Sequence, residues 1–263
     1  MSSGRIPRLS IAAMRMTRAG RHAIGAAMLG MLLTAAGTAH AKIVLDIPDT
    51  TSEIESNVRA FLSLTRYADR TDVTPEVMSR LQRRIVTETR RALEPLGYYQ
   101  PEITHEVVRD GEDWKVTIRI VPGRPIRLSE VSVTATGPGK NERAIQEVIE
   151  AQDLKPGLRL NHGTYEAVKG SLLRAAKNEG YLDATLTQHE LLIDREERRA
   201  SVTLQVETGE RYHYGAITTQ QDVITDDAMR RLLRMKEGDP YTLDSLLRTQ
   251  YVLDDSQYFK GVD

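Results

Sequence analysis

The side chains with the widest chemical range in this 263-residue chain are six histidines, His22, His40, His105, His162, His189 and His213. A helical zinc site would place two of them as His-x-x-x-His or His-Glu-x-x-His. Neither spacing occurs. Cysteine is absent, which excludes disulfides, thiolate metal sites and a thiol nucleophile. No Gly-x-Ser-x-Gly is present to expose a nucleophilic serine on a strained turn. Gly137-Pro138-Gly139-Lys140 has the residue types of a phosphate loop but not the Gly-x-x-x-x-Gly-Lys-Ser/Thr frame, so it reads as a turn before a helix. Carboxylates are plentiful, but no pair is set apart in apolar surroundings. The residues point to no catalytic, metal or cofactor-binding site, and function is expected from surfaces.

The first 41 residues carry Arg5, Arg8, Arg15, Arg18 and Arg21 and no acid. An apolar stretch from Ala23 to Ala36 follows, and then Ala39-His40-Ala41. A basic region, a short apolar core and a small-x-small site form an export signal, with cleavage expected between Ala41 and Lys42. Without a lipobox cysteine, the reading is an exported envelope protein that is not a lipoprotein. Residues 42–263 carry 31 basic and 37 acidic side chains. An acidic balance argues against a nucleic-acid partner, whose footprint is a basic face. No later window reaches the roughly 18 apolar residues of a membrane helix.

The rest of the chain repeats. Gly97-Tyr98 recurs as Gly180-Tyr181, 83 residues on; Pro122-Gly123 recurs as Thr208-Gly209, 86 on; and Lys155-Pro156-Gly157 recurs as Lys236-Glu237-Gly238, 81 on. Such offsets imply tandem units, expected at 42–122, 123–208 and 209–263, the last incomplete. In the first, Ile43, Leu45 and Ile47 alternate as a strand. Ser52 and Glu55 read as a capping box for a helix with Ile54, Val58, Phe61 and Leu62 on one face. Thr74-Pro75-Glu76 opens a second helix striped by Val77, Leu81, Ile85, Ala92 and Leu96. A hairpin closes the unit, with Asp110-Gly111 at the turn and Trp114, Val116, Ile118 and Ile120 alternating on the return.

The second unit repeats this β-α-α-β-β order. Its strand is expected at Ile126–Thr134, and Asn141 caps its first helix. Tyr165, Val168, Leu172 and Ala176 stripe its second helix, and strands at Ala184–Ile193 and 200–206 form its hairpin. The third is expected to start with a strand at 211–218, a helix capped by Thr225, and a helix striped by Leu243, Leu247 and Tyr251. Each Gly-Tyr pair reads as a helix end, glycine taking the left-handed conformation and tyrosine packing back. Gln257 stands where the third glycine is expected, at a cost on the order of 1 kcal/mol.

The segments Leu96-Gly97-Tyr98-Tyr99-Gln100-Pro101, Gly180-Tyr181-Leu182-Asp183, Gly209–Gly215 and Glu237-Gly238-Asp239-Pro240-Tyr241 resemble, in order and spacing, those of POTRA domains. These are modules of the BamA/TamA superfamily of outer-membrane β-barrel assembly proteins. The TamA-like members are the most similar, and the barrel that accompanies the modules in that family is absent from residues 1–263. The resemblance implies an α+β fold of tandem POTRA domains, each a three-stranded mixed sheet backed by two helices. It implies a periplasmic location at the outer membrane, a TamB-like inner-membrane-anchored partner and unfolded outer-membrane protein clients, autotransporters among them. It implies no cofactor and no catalysis. A BamA-like assembly factor, a free-standing periplasmic adaptor and, more distantly, an envelope hydrolase remain as alternatives.

The resemblance further implies that the first strand of each hairpin is a free sheet edge. Such an edge offers unpaired N–H and C=O groups to an extended partner segment. The favoured candidate is Ala184, Thr185, Leu186, Thr187, Gln188, His189, Glu190, Leu191 and Leu192, because Pro101 obstructs the start of the other edge, at 102–107.

Overall fold

The computed structural model describes residues 42–70 and 72–259. The expected export signal, with Ala41, lies outside the described residues. Two three-stranded sheets are each backed by a helix pair. The first is built from β1 (Ile43–Asp46), α1 (Ser52–Phe61), α2 (Pro75–Leu93), β2 (Glu102–Asp110) and β3 (Asp113–Val121), in strand order β1-β3-β2. The second is built from β4 (Arg127–Thr136), α3 (Arg143–Ala151), α4 (His162–Asn178), β5 (Thr185–Asp194) and β6 (Arg199–Glu207), in order β4-β6-β5. In both, the return strand of the hairpin is central, parallel to the opening strand and antiparallel to its hairpin partner.

The alternating residues face the helices, as the pleat requires. Val116, Ile118 and Ile120 of β3 bury against Met78, Leu81, Ile85 and Ala92 of α2 in one core. Ala200, Val202, Leu204 and Val206 of β6 bury against Tyr165, Val168, Leu172 and Ala176 of α4 in the other.

Several local expectations are corrected. Thr51, not Ser52, caps α1; its side chain accepts from the Ile54 N–H, and Glu55 instead pairs with Arg59 at 2.8 Å. Phe61 is exposed, at the end of the helix. Leu96 lies in a 3-10 turn beyond α2, and Thr89 takes the stripe position between Ile85 and Ala92. Glu142, not Asn141, caps α3, because its N–H donates to the Gly139 carbonyl and keeps the chain in a turn one residue longer. Ala184 precedes β5, held in a turn by its N–H donating to the Tyr181 carbonyl.

The glycines before α3 have structural roles. A Cβ on Gly139 would lie 2.4 Å from the Tyr181 ring, and the Gly139 N–H donates to the Thr208 hydroxyl. Gly139 is thus explained by the Tyr181 ring packed against it rather than by a phosphate.

Residues beyond β6 form α5 (Asp226–Leu232) and α6 (Leu243–Asp255). The expected strand at 211–218 does not form; one isolated bridge, His213 to Pro240, stands in its place. An opening strand needs a central strand alongside, and the described residues supply none there. On α6 the inward positions are Thr249 and Leu253, while Leu247 and Tyr251 are 51% and 70% exposed. Gln257 does take the left-handed conformation, with φ +58°. With Met229, Thr249 and Leu253 as its buried side chains, this region holds little apolar area out of water. We expect amide protons of α5 and α6 to exchange at least a hundredfold faster than those of β3 and β6. Equal protection in a hydrogen-exchange experiment would contradict this reading.

Candidate functional site: the joints and the sheet edges

Each Gly-Tyr pair closes a helix and also seats the segment that follows. Gly97 has φ +84°, its carbonyl accepts the Ile126 N–H at 2.8 Å, and a Cβ there would lie 2.4 Å from the Leu160 carbonyl oxygen. Gly180 has φ +93°, its carbonyl accepts the Tyr212 N–H at 2.8 Å, and a Cβ would lie 2.4 Å from the Tyr241 carbonyl oxygen. The ladder continues identically. Leu160 N–H donates to Ile126 and Gly157 N–H to Leu128; Tyr241 N–H donates to Tyr212 and Gly238 N–H to Tyr214. A bare Cα in a left-handed turn lets two backbones approach this closely.

An arginine completes each joint, and it comes from a different place each time. In the first, the Arg159 guanidinium lies 5.3 Å from the Tyr98 ring centre, donates to the Leu96 carbonyl and forks onto Glu53 at 2.8 and 2.9 Å. In the second, Arg211 lies 5.7 Å from the Tyr181 ring centre and pairs with Glu179 at 3.3 Å and Glu142 at 3.6 Å. By the repeat offsets, Pro240 occupies the place of Arg159, and Pro125 the place of Arg211. The joint residues Arg159 and Arg211 escape a sequence reading. The available signal was this reciprocal Arg/Pro exchange.

The first joint also contains a polar contact. The Tyr99 hydroxyl and His162 Nε2 are 2.8 Å apart, with the Arg195 guanidinium 5.0 Å from the Tyr99 ring centre. Burial holds the His162 imidazole below its ordinary value and outweighs Glu94 and Glu166, which pull it up. Burial also raises the Tyr99 phenol. The other described histidines are dispersed: His105 in β2, His189 in β5 and His213 beyond β6.

Backbone parity fixes which way the edge strands point. Arg127 N–H donates to the Arg198 carbonyl, and the Thr134 and Thr136 hydroxyls reach the Leu204 and Val206 carbonyls. Even-numbered β6 residues therefore face β4, and odd ones face β5. By the register, Glu190 and Leu192 of β5 bond inward, while the N–H and C=O of Leu186, His189 and Leu191 point to the free side. A bulge at Thr187 interrupts this row, and the His189 carbonyl already accepts from the Tyr165 hydroxyl at 2.5 Å. In β2 the register is unbroken, and Ile103, His105, Val107 and Arg109 point outward. Leu192 is 63% exposed.

Two outcomes follow for the joints. Gly97→Ala forces a left-handed alanine, at about 1–2 kcal/mol, against a backbone oxygen. We expect a loss of at least that size in denaturant unfolding; a variant as stable as the parent would exclude a tight joint. For His162, a folded value below the unfolded one means that the contact's contribution is complete above the ordinary imidazole value of 6.5 and declines as pH falls below it. The parent should lose more stability than His162→Gln between pH 7.5 and 5.5. Equal losses would remove the histidine from the account.

Residues 46–122 match the family model of the first POTRA domain of TamA. Among solved structures, POTRA domains 3–5 of Haemophilus influenzae BamA align at 19% identity over 85% of this chain and 88% of that one, with a TM-score of 0.45. POTRA domains 1–3 of the periplasmic domain of Anabaena Omp85 align at 17% identity over 85% and 86%, with a TM-score of 0.30. The family match covers α1, α2, β2 and β3, and the second sheet repeats the strand order and pairing of the first. Residues 46–122 are accordingly similar to a POTRA domain of the TamA type.

Proposed function

We propose that this chain is the periplasmic arm of a TamA-like outer-membrane assembly factor. It would hold POTRA domains at 42–122 and 123–208 and part of a third at 209–263. It would work without catalysis, by docking a TamB-like inner-membrane-anchored protein and passing unfolded outer-membrane proteins, autotransporters among them. The observation that supports docking is the strand order. In each sheet the first hairpin strand is paired on one side among the described residues and open on the other. An extended segment adds to such an edge through main-chain bonds, with little demand on either sequence.

The edge from Thr185 to Leu192, with Ala184 as its buried anchor, is the proposed docking strand. Proline is tolerated at an edge where the lost N–H faces outward and is disruptive where it faces inward. His189→Pro removes an outward donor from an exposed residue; Glu190→Pro removes an inward one. We expect His189→Pro to keep the parent circular dichroism and lose cross-linking to the TamB-like partner, and Glu190→Pro to unfold. A folded His189→Pro that still cross-links like the parent would move docking off this strand, and His105→Pro would then test the regular edge of β2.

A further inference from the structure

The helix caps Thr74, Asn161 and Thr242 align α2, α4 and α6. In that alignment the inward positions agree: Leu81, Val168 and Thr249, then Ile85, Leu172 and Leu253, are all buried. Leu247 and Tyr251 fall elsewhere. Their counterparts are Ser79 and Arg83 on α2, and Glu166 and Gly170 on α4. The third helix thus carries an apolar pair, one turn apart, where the other two are polar or small. Together with Val252, Arg234 and Arg248 the pair lines an open groove of about 500 Å³.

A hairpin built like the first two would leave this groove open. The second unit has its hairpin, and the Glu166 side chain is still 64% exposed. The rim is cationic. The Arg234 backbone is tied to α6 through its N–H donating to the Thr249 hydroxyl at 2.9 Å, and its guanidinium has no ion pair among the described residues. Arg248 pairs with Asp244 at 2.8 Å, but both are about 70% exposed, so the pair is screened and exchangeable. Among the described residues, two arginines and no acid line the groove. A symmetric contact between two copies would set these arginines against each other, which disfavours a second copy as the occupant.

We propose that this groove docks an acidic amphipathic helix of a partner protein, its apolar face on Leu247 and Tyr251 and its carboxylates on Arg234 and Arg248. The inference is independent of the sheet-edge reading. Two fluorescent 18-residue helical peptides test it on the full chain, each with leucines at i and i+4. One is flanked by glutamates and the other by lysines. The acidic peptide should bind at least tenfold more tightly than the basic one, and Tyr251→Glu should weaken it at least tenfold. The double variant Arg234→Glu/Arg248→Glu should reverse the preference, an outcome that unfolding cannot produce. Equal binding of both peptides, or no reversal in the charge-swapped variant, overturns the proposal. So does a parent dimer in sedimentation that Tyr251→Glu dissolves, since that assigns the face to a second copy.

Discussion

The arrangement beyond the first sheet hangs from one carbonyl oxygen on a left-handed glycine. Gly97 turns the chain out of α2 and presents its C=O to Ile126, the residue that leads into β4. The same atom in Gly180 receives Tyr212. Because the glycine lacks a Cβ, the loop ahead of the next long helix also fits against it, with Leu160 in one case and Tyr241 in the other. A helix end, the segment that follows the sheet and a loop are thereby held at one point by main-chain bonds. Those bonds depend on backbone conformation rather than on side-chain identity, so the arrangement repeats although few side chains do.

Side chains then distinguish the two joints. Tyr98 and Tyr181 each offer a ring face, and each attracts a guanidinium. Arg159 reaches its ring from the loop before α4, and Arg211 reaches its ring from the segment after β6. The acids follow suit, with Glu53 at the start of α1 for one and Glu142 and Glu179 around α3 and α4 for the other. Cation–π and partly screened ion pairs of this kind contribute about 0.5–1 kcal/mol each at exposed sites. That is a modest addition to a backbone ladder, but it is directional.

The fold was largely legible because two periodicities carry it. Alternation in β3 and β6 and the four-residue stripe Tyr165, Val168, Leu172 and Ala176 fall on buried positions, with Trp114 partly buried at the start of β3. Capping was less legible, since Thr51 and Ser52, or Asn141 and Glu142, are adjacent residues that can all accept a bond, and a turn elsewhere decides between them. The strand expected at 211–218 failed for a non-local reason: its pattern is suitable, but a strand exists only beside a partner. The joint arginines were hidden because the interaction repeats while its sequence position does not. The stripe Leu243, Leu247 and Tyr251 looked like a core face because any i, i+4 apolar pair does; the inward side of α6 is set instead by the cap at Thr242 and by Thr249 and Leu253.

The exchange of arginine and proline between the joints has a consequence for gene duplication. Repeats of similar length invite slippage between copies, which would add or delete one unit and preserve every strand and helix. Yet a unit moved to a new neighbour would bring its arginine to a place where the matching carboxylate is missing. Glu53 serves a cation arriving from the loop, and its counterpart by the helix alignment is Ala144. Such a product would fold module by module and still be misjoined. Order and number are thus written into the connections, and a recombinant array could be purged by selection without any loss in its individual modules.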